Sequence, residues 1–169
     1  NYFYASYLAT LGKTEKAKDT VKSALRSHPR NLLLNQYKID LKEGKNTFNF
    51  NCKNKANVVA EILYIASNAL SSQAIYPLSN FYLNLAKHLN KDFISYDTLL
   101  AENFYEIDDF DKAKKIYKNL SKKGKAFLWY SSKQLARIYI KEENKKKALE
   151  LLSAAYNNLQ SKDYYETFD

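Results

Sequence analysis

The chain has 169 residues, 46% of them hydrophobic, enough to bury a core and too much for a disordered tail. Its three Gly and two Pro (Gly12, Gly44, Gly124; Pro29, Pro77) supply too few tight corners for an all-β fold, whereas helices need few breakers. The balance of 27 basic over 18 acidic side chains, a net charge of +9, draws acidic proteins, nucleic acid or an anionic membrane surface in a salt-dependent way, although lysines on solvated helix faces account for the same excess without any ligand.

In chain order, residues 1–30 read as a helical hairpin. Tyr4, Ala5 and Leu8 run to a turn at Gly12, and Ala17, Val21 and Ala24 follow at helical spacing up to Pro29. Residues 31–43 predict one helix with Leu34, Tyr37 and Leu41 on a common face, stopped by Gly44. The polar, Asn-rich stretch 45–57 then stands where a partner helix is expected, and Phe48 and Phe50 are expected to tuck it onto the helices, the alternative being a ligand-binding loop. It holds Cys52, the single cysteine, which cannot form an internal disulfide and leaves cytoplasm and periplasm both open.

Three further hairpins are expected over 58–161, with approximate bounds 58–92, 93–126 and 127–161. In the second, Leu99, Leu100 and Phe104 lead into the turn Glu106-Ile107-Asp108-Asp109, and Phe110, Ala113, Ile116, Tyr117 and Leu120 follow at helical spacing. In the third, Leu135, Ala136 and Tyr139 precede the turn Lys141-Glu142-Glu143-Asn144, and Ala148, Leu152 and Ala155 follow. Residues 162–169 look like the start of another helix, cut off, so the chain, which also lacks Met, is expected to be a piece of a longer array. No apolar run approaches the length of a membrane span, and no secretory signal opens the chain.

The hairpins repeat. In each, a small residue in the first helix precedes one in the second by 12 positions: Ala5/Ala17, Ala66/Leu78, Ala101/Ala113 and Ala136/Ala148, with a step of 35 between the last three pairs. Helices that cross closely need small side chains there. This pattern, a large and a small residue, two spacers, an aromatic or Leu, then Ala-x₃-large and a late Pro, resembles the tetratricopeptide repeat (TPR). Leu78 departs from the usual Ala, and the period is one longer than the usual 34, which pentatricopeptide RNA readers share. The resemblance implies an all-α, antiparallel helix-hairpin superhelix of about four repeats with one irregular segment, similar to bacterial multi-repeat proteins of that family, and a scaffold that binds a protein or peptide in its concave groove. Apolar end faces of such an array also allow self-association.

Chemistry-bearing constellations are thin, so no catalytic residue, cofactor, metal ligand or small-molecule substrate is expected. His28 and His88 fall near helix C-termini, where a cation suits the dipole. Gly12-Lys13-Thr14 imitates a phosphate loop, but Tyr7 stands where its first Gly belongs. Asp108-Asp109 reads as helix capping. The first helices of such a stack line the groove, which makes the candidate partner-binding residues Ser67, Leu70 and Ser71; Thr98, Glu102, Tyr105 and Glu106; and Tyr130, Lys133, Arg137 and Lys141. The last four form one cationic stripe headed by an aromatic. It suits a carboxylate or acidic peptide, or else it is a solvated face balanced by Glu102 and Glu106. The alternative function is binding of RNA or single-stranded nucleic acid through the basic surface and fifteen tyrosines.

Overall fold

A computed structural model of the chain describes residues 1–45, 50–51 and 53–158 and shows, among them, nine α-helices and no strand. They are α1 (Tyr2–Thr10), α2 (Thr14–Ser27), α3 (Leu32–Lys42), α4 (Lys55–Ser72), α5 (Tyr76–Leu89), α6 (Ser95–Glu106), α7 (Phe110–Leu120), α8 (Lys125–Lys141) and α9 (Lys145–Asn157). Four antiparallel hairpins result, α1–α2, α4–α5, α6–α7 and α8–α9, with α3 unpaired between the first two. The architecture is an all-α helical repeat solenoid.

Each first helix ends the same way. A left-handed residue follows it (Gly12, Gly44, Ala74, Asp108 and Glu143, φ +57 to +73). The next backbone N–H returns to the carbonyl five residues back: Lys13 to Leu8, Lys45 to Asp40, Ile75 to Leu70, Asp109 to Phe104 and Asn144 to Tyr139, at 2.8–3.0 Å. This Schellman closure satisfies carbonyls that the helix end would otherwise leave unpaired. Side-chain oxygens cap two of the helices that follow, α7 and α9, Asp109 accepting from the Lys112 N–H and Asn144 from the Lys147 N–H. Pro77 lies in the first turn of α5, where its missing N–H costs nothing.

The close crossings bury Ala5 and Ala17, Ala101 and Ala113, and Ala136 and Ala148. In α4–α5 the pair is not Ala66/Leu78. Leu78 is exposed, and the fully buried residues at the crossing are Ser67 and Ser79, again 12 apart, with the Ser79 hydroxyl donating to the Ser67 carbonyl oxygen at 2.9 Å. The left-handed turn residue confirms this register, because Ala74 follows Ser67 by the same seven positions that separate Asp108 from Ala101. The step from Ser67 to Ala101 is therefore 34, and only the next one is 35.

The described residues between α3 and α4 are non-helical, and Phe50 is buried with its ring 4.4 Å from that of Phe3; Phe48 and Cys52 lie outside the described residues, as does 162–169. Instead of pairing with a following helix, α3 lies against α8. Gln36 Oε1 accepts from the Ala126 N–H at 3.1 Å and Lys125 pairs with Glu43 at 2.8 Å, while Phe93 joins Phe3 (5.7 Å) and Tyr2 (6.4 Å) to Tyr96 (5.1 Å). The first block is thus fastened across the N-terminal ends of α6 and α8.

Candidate protein-binding groove

The candidate groove lies along α4, α6 and α8, and a buried polar ladder ties α6 to α4 and α5. Asn103, fully buried on α6, donates to Ser79 Oγ and to Asn80 Oδ1, both at 2.8 Å, and accepts from the Ser71 hydroxyl at 2.6 Å. A buried amide with its partners in place fixes how the helices register, since a shift would strand it.

The structure distributes the predicted groove residues unevenly. Ser67 has no exposed surface and belongs to the hairpin crossing. Leu70 is half-buried at the end of α4, and the Thr98 hydroxyl is occupied by the Ser95 carbonyl of its own helix at 2.8 Å. Ser71, Glu102, Tyr105, Glu106 and Arg137 converge on a polar cavity of about 220 Å³, together with Tyr76, Asn103, Tyr117 and Gln134, which the sequence pattern does not single out.

Tyr130 does not head the cationic stripe as a free aromatic. Its hydroxyl donates to Glu102 Oε1 at 2.5 Å, and its ring meets Tyr117 edge-on at 6.0 Å. Burial, followed by the Glu102 charge, pushes the Tyr130 phenol far above its ordinary range and keeps it a donor. Glu102 itself reaches solvent, yet the protein walling it in desolvates the carboxyl enough to raise its pKa, against the opposing pull of the Tyr130 hydroxyl and Arg137.

Arg137 lies over the Tyr105 ring at 4.6 Å and donates from Nη1 to Gln134 Oε1 at 2.8 Å. Lys141 sits over the same ring at 4.5 Å and pairs with Asp108 at 3.3 Å. Tyr105 is thus the platform on which the stripe's two lower cations rest.

Gln134 and Arg137 also line a larger cavity of about 730 Å³ between α8 and α9. Trp129, Ile140, Leu152 and Tyr156 give it apolar walls, Lys133 and Arg137 stand on one side, and Arg30 enters from the α2–α3 connection. None of its described lining residues is acidic. Sequence reasoning reached Lys133 and Arg137 but not Arg30, Trp129 or Tyr156. The single tryptophan was the available signal; Arg30 was not legible, because a fold-back brings it there.

Among the described residues no group of His, Cys, Asp and Glu could hold a metal ion, and no helix is long and apolar enough to cross a membrane. His28 caps the C-terminus of α2 and His88 lies in the last turn of α5, both exposed.

No family model and no curated protein matches the chain. Among solved structures it is similar to that of MamA, a TPR-like helical protein, at 14% identity and a TM-score of 0.50, over 90% of this chain and 92% of that one. At this identity the likeness concerns the fold alone, and it supports a TPR-like repeat.

Proposed function

We propose that the chain is a protein-interaction scaffold and that its groove takes an acidic segment anchored by an aromatic or aliphatic side chain. One observation carries the reading: in the 730 Å³ cavity, apolar walls from Trp129, Ile140 and Leu152 adjoin the cations Arg30, Lys133 and Arg137 with no acidic residue among the described lining. A site so built desolvates an apolar side chain and meets a neighbouring carboxylate with a guanidinium, which binds it bidentately. Glu102 and Glu106 lie on the far side of Arg137, in the smaller cavity, and give the groove a sense of direction, with donors favoured there and carboxylates beside α9. The TPR-like fold supports protein partners in general.

Trp129 is the only tryptophan, so its fluorescence reports directly on this cavity. Titration with an acidic, aromatic-containing peptide should shift its emission, and Lys133→Glu with Arg137→Glu should weaken binding by about a hundredfold or more. Unchanged affinity in the double variant sinks the proposal. A single-stranded RNA that binds more tightly than the peptide, with affinity falling steeply as salt rises, would replace it with the nucleic-acid reading.

A further inference from the structure

The α4–α5 hairpin presents a surface of different chemistry. Helix α6 meets α4 through Ser71 and Tyr64, which contact Asn103 and Tyr96, and meets α5 through Asn80 and Lys87, which contact Asn103 and Asp97. At about 100° per residue, the opposite side of α4 carries Val59, Ile62 and Ile65, and that of α5 carries Leu78, Phe81 and Leu85. All six are 40–62% exposed. In a solenoid, this side of a hairpin receives the second helix of the preceding unit. Here α3 has no such helix among the described residues and lies against α8 instead.

The six side chains leave roughly 550 Å² open before any rim residue is counted, at the upper end for a monomer's largest apolar patch and about two thirds of the ~800 Å² that a stable interface takes from each partner. Charge indicates the occupant. The chain carries +9 and 27% charged residues, yet from Lys55 to Leu89 the charged side chains are only Lys55, Glu61 and Lys87, and Lys87 is paired with Asp97. A partner chosen by charge has little to recognise here. Two copies of the chain, which repel one another over the rest of their surfaces, can meet on this face without cationic repulsion.

We propose that the α4–α5 face is a homodimer interface, closed by a two-fold axis that stacks the identical hairpin of a second copy where a solenoid places its next helix layer and no described helix lies. A head-to-tail contact with the opposite end face would bring Leu149 and its lysine neighbours Lys145 and Lys146 onto an apolar surface and desolvate ammonium groups that this surface cannot pair. The isologous contact avoids that.

Molar mass by light scattering and sedimentation equilibrium, up to about 100 μM, tests the interface. The parent should weigh twice 19.7 kDa, and Ile62→Asp with Phe81→Asp should return it to 19.7 kDa with unchanged far-ultraviolet circular dichroism. Leu85→Lys, a single exposed change on α5, should weaken the dimer in the same direction. Arg137→Glu, which alters the peptide groove, should leave the mass unchanged, so the two proposals fail separately. A parent monomeric throughout, a dimer indifferent to the Ile62 and Phe81 changes, or a mass that climbs past two chains overturns the proposal.

Discussion

Ser79 touches Ser67: two fully buried serines, 12 residues apart, meet where α5 crosses α4, and the hydroxyl of the one donates to the carbonyl oxygen of the other at 2.9 Å. They occupy the position that alanine pairs hold in the other hairpins, and the same Ser79 oxygen accepts from Asn103. Size and polarity should therefore separate on mutation. Ser79→Ala keeps the close approach and leaves Asn103 with Asn80, costing about 1 kcal/mol. Ser79→Leu inserts three carbons where there is no space and should cost about 1–3 kcal/mol more. Urea unfolding of the two variants checks the order; equal losses would show that steric room at the crossing is unimportant.

How far the fold could be read follows from that pair. Hairpins were legible because small residues recur at a 12-residue offset and apolar positions keep helical period. The pattern places the second unit one residue early because Ala66 adjoins Ser67, and an alanine marks a close crossing in a sequence where a hydrogen-bonded serine does not. The fastening of the first block was not legible at all. Gln36 and Ala126 are 90 positions apart, and Phe93 lies in a connection without periodicity. The cationic stripe was visible as spacing on α8, while its setting depends on Tyr105 beneath it and on α9 and Arg30 beside it.

Gly124 and Gln36 make that fastening specific. Gly124 has φ +151, and a Cβ built on it would lie 2.2 Å from Gln36 Oε1, the atom that caps α8 through the Ala126 N–H. Gly124→Ala adds backbone strain to a collision and should cost about 2–3 kcal/mol. Adding Gln36→Ala removes the collision but not the strain, so the double variant should be less damaged than the sum of the two singles. A double-mutant cycle on thermal unfolding measures the coupling, and simple additivity would contradict the contact.

The turn after α4 gives a prediction of opposite sign. Ala74 sits at φ +59 and is exposed, in the conformation that Gly12 adopts at the matching turn. Left-handed backbone costs a residue with a Cβ about 1 kcal/mol, partly offset in glycine by the greater freedom of its unfolded chain. Ala74→Gly should stabilise by about 0.5 kcal/mol, visible as a higher Tm. A lower Tm would mean that the strain at this turn is smaller than the added chain entropy.

Glu61 supplies a pH test whose sign can be worked out beforehand. It lies on α4 with Oε2 buried and without a hydrogen-bond partner among the described residues, and burial raises its carboxyl above the ordinary range. The folded chain then holds this proton to higher pH than the unfolded chain does. Between the unfolded value and the raised one, the folded state binds more protons, so the contribution of Glu61 to stability falls as pH rises and becomes a constant penalty above that window. Glu61→Gln removes the charge and keeps the shape. Its Tm should exceed that of the parent at pH 7, and the gap should close as pH falls to about 4, near the unfolded value. Carboxylates whose pKa is lowered, such as Asp109 beside Lys112, weaken the fold on acidification, but both proteins share them and they cancel in the difference. A gap that stays constant from pH 4 to 7 would place the effect of the substitution in packing, not in the buried charge.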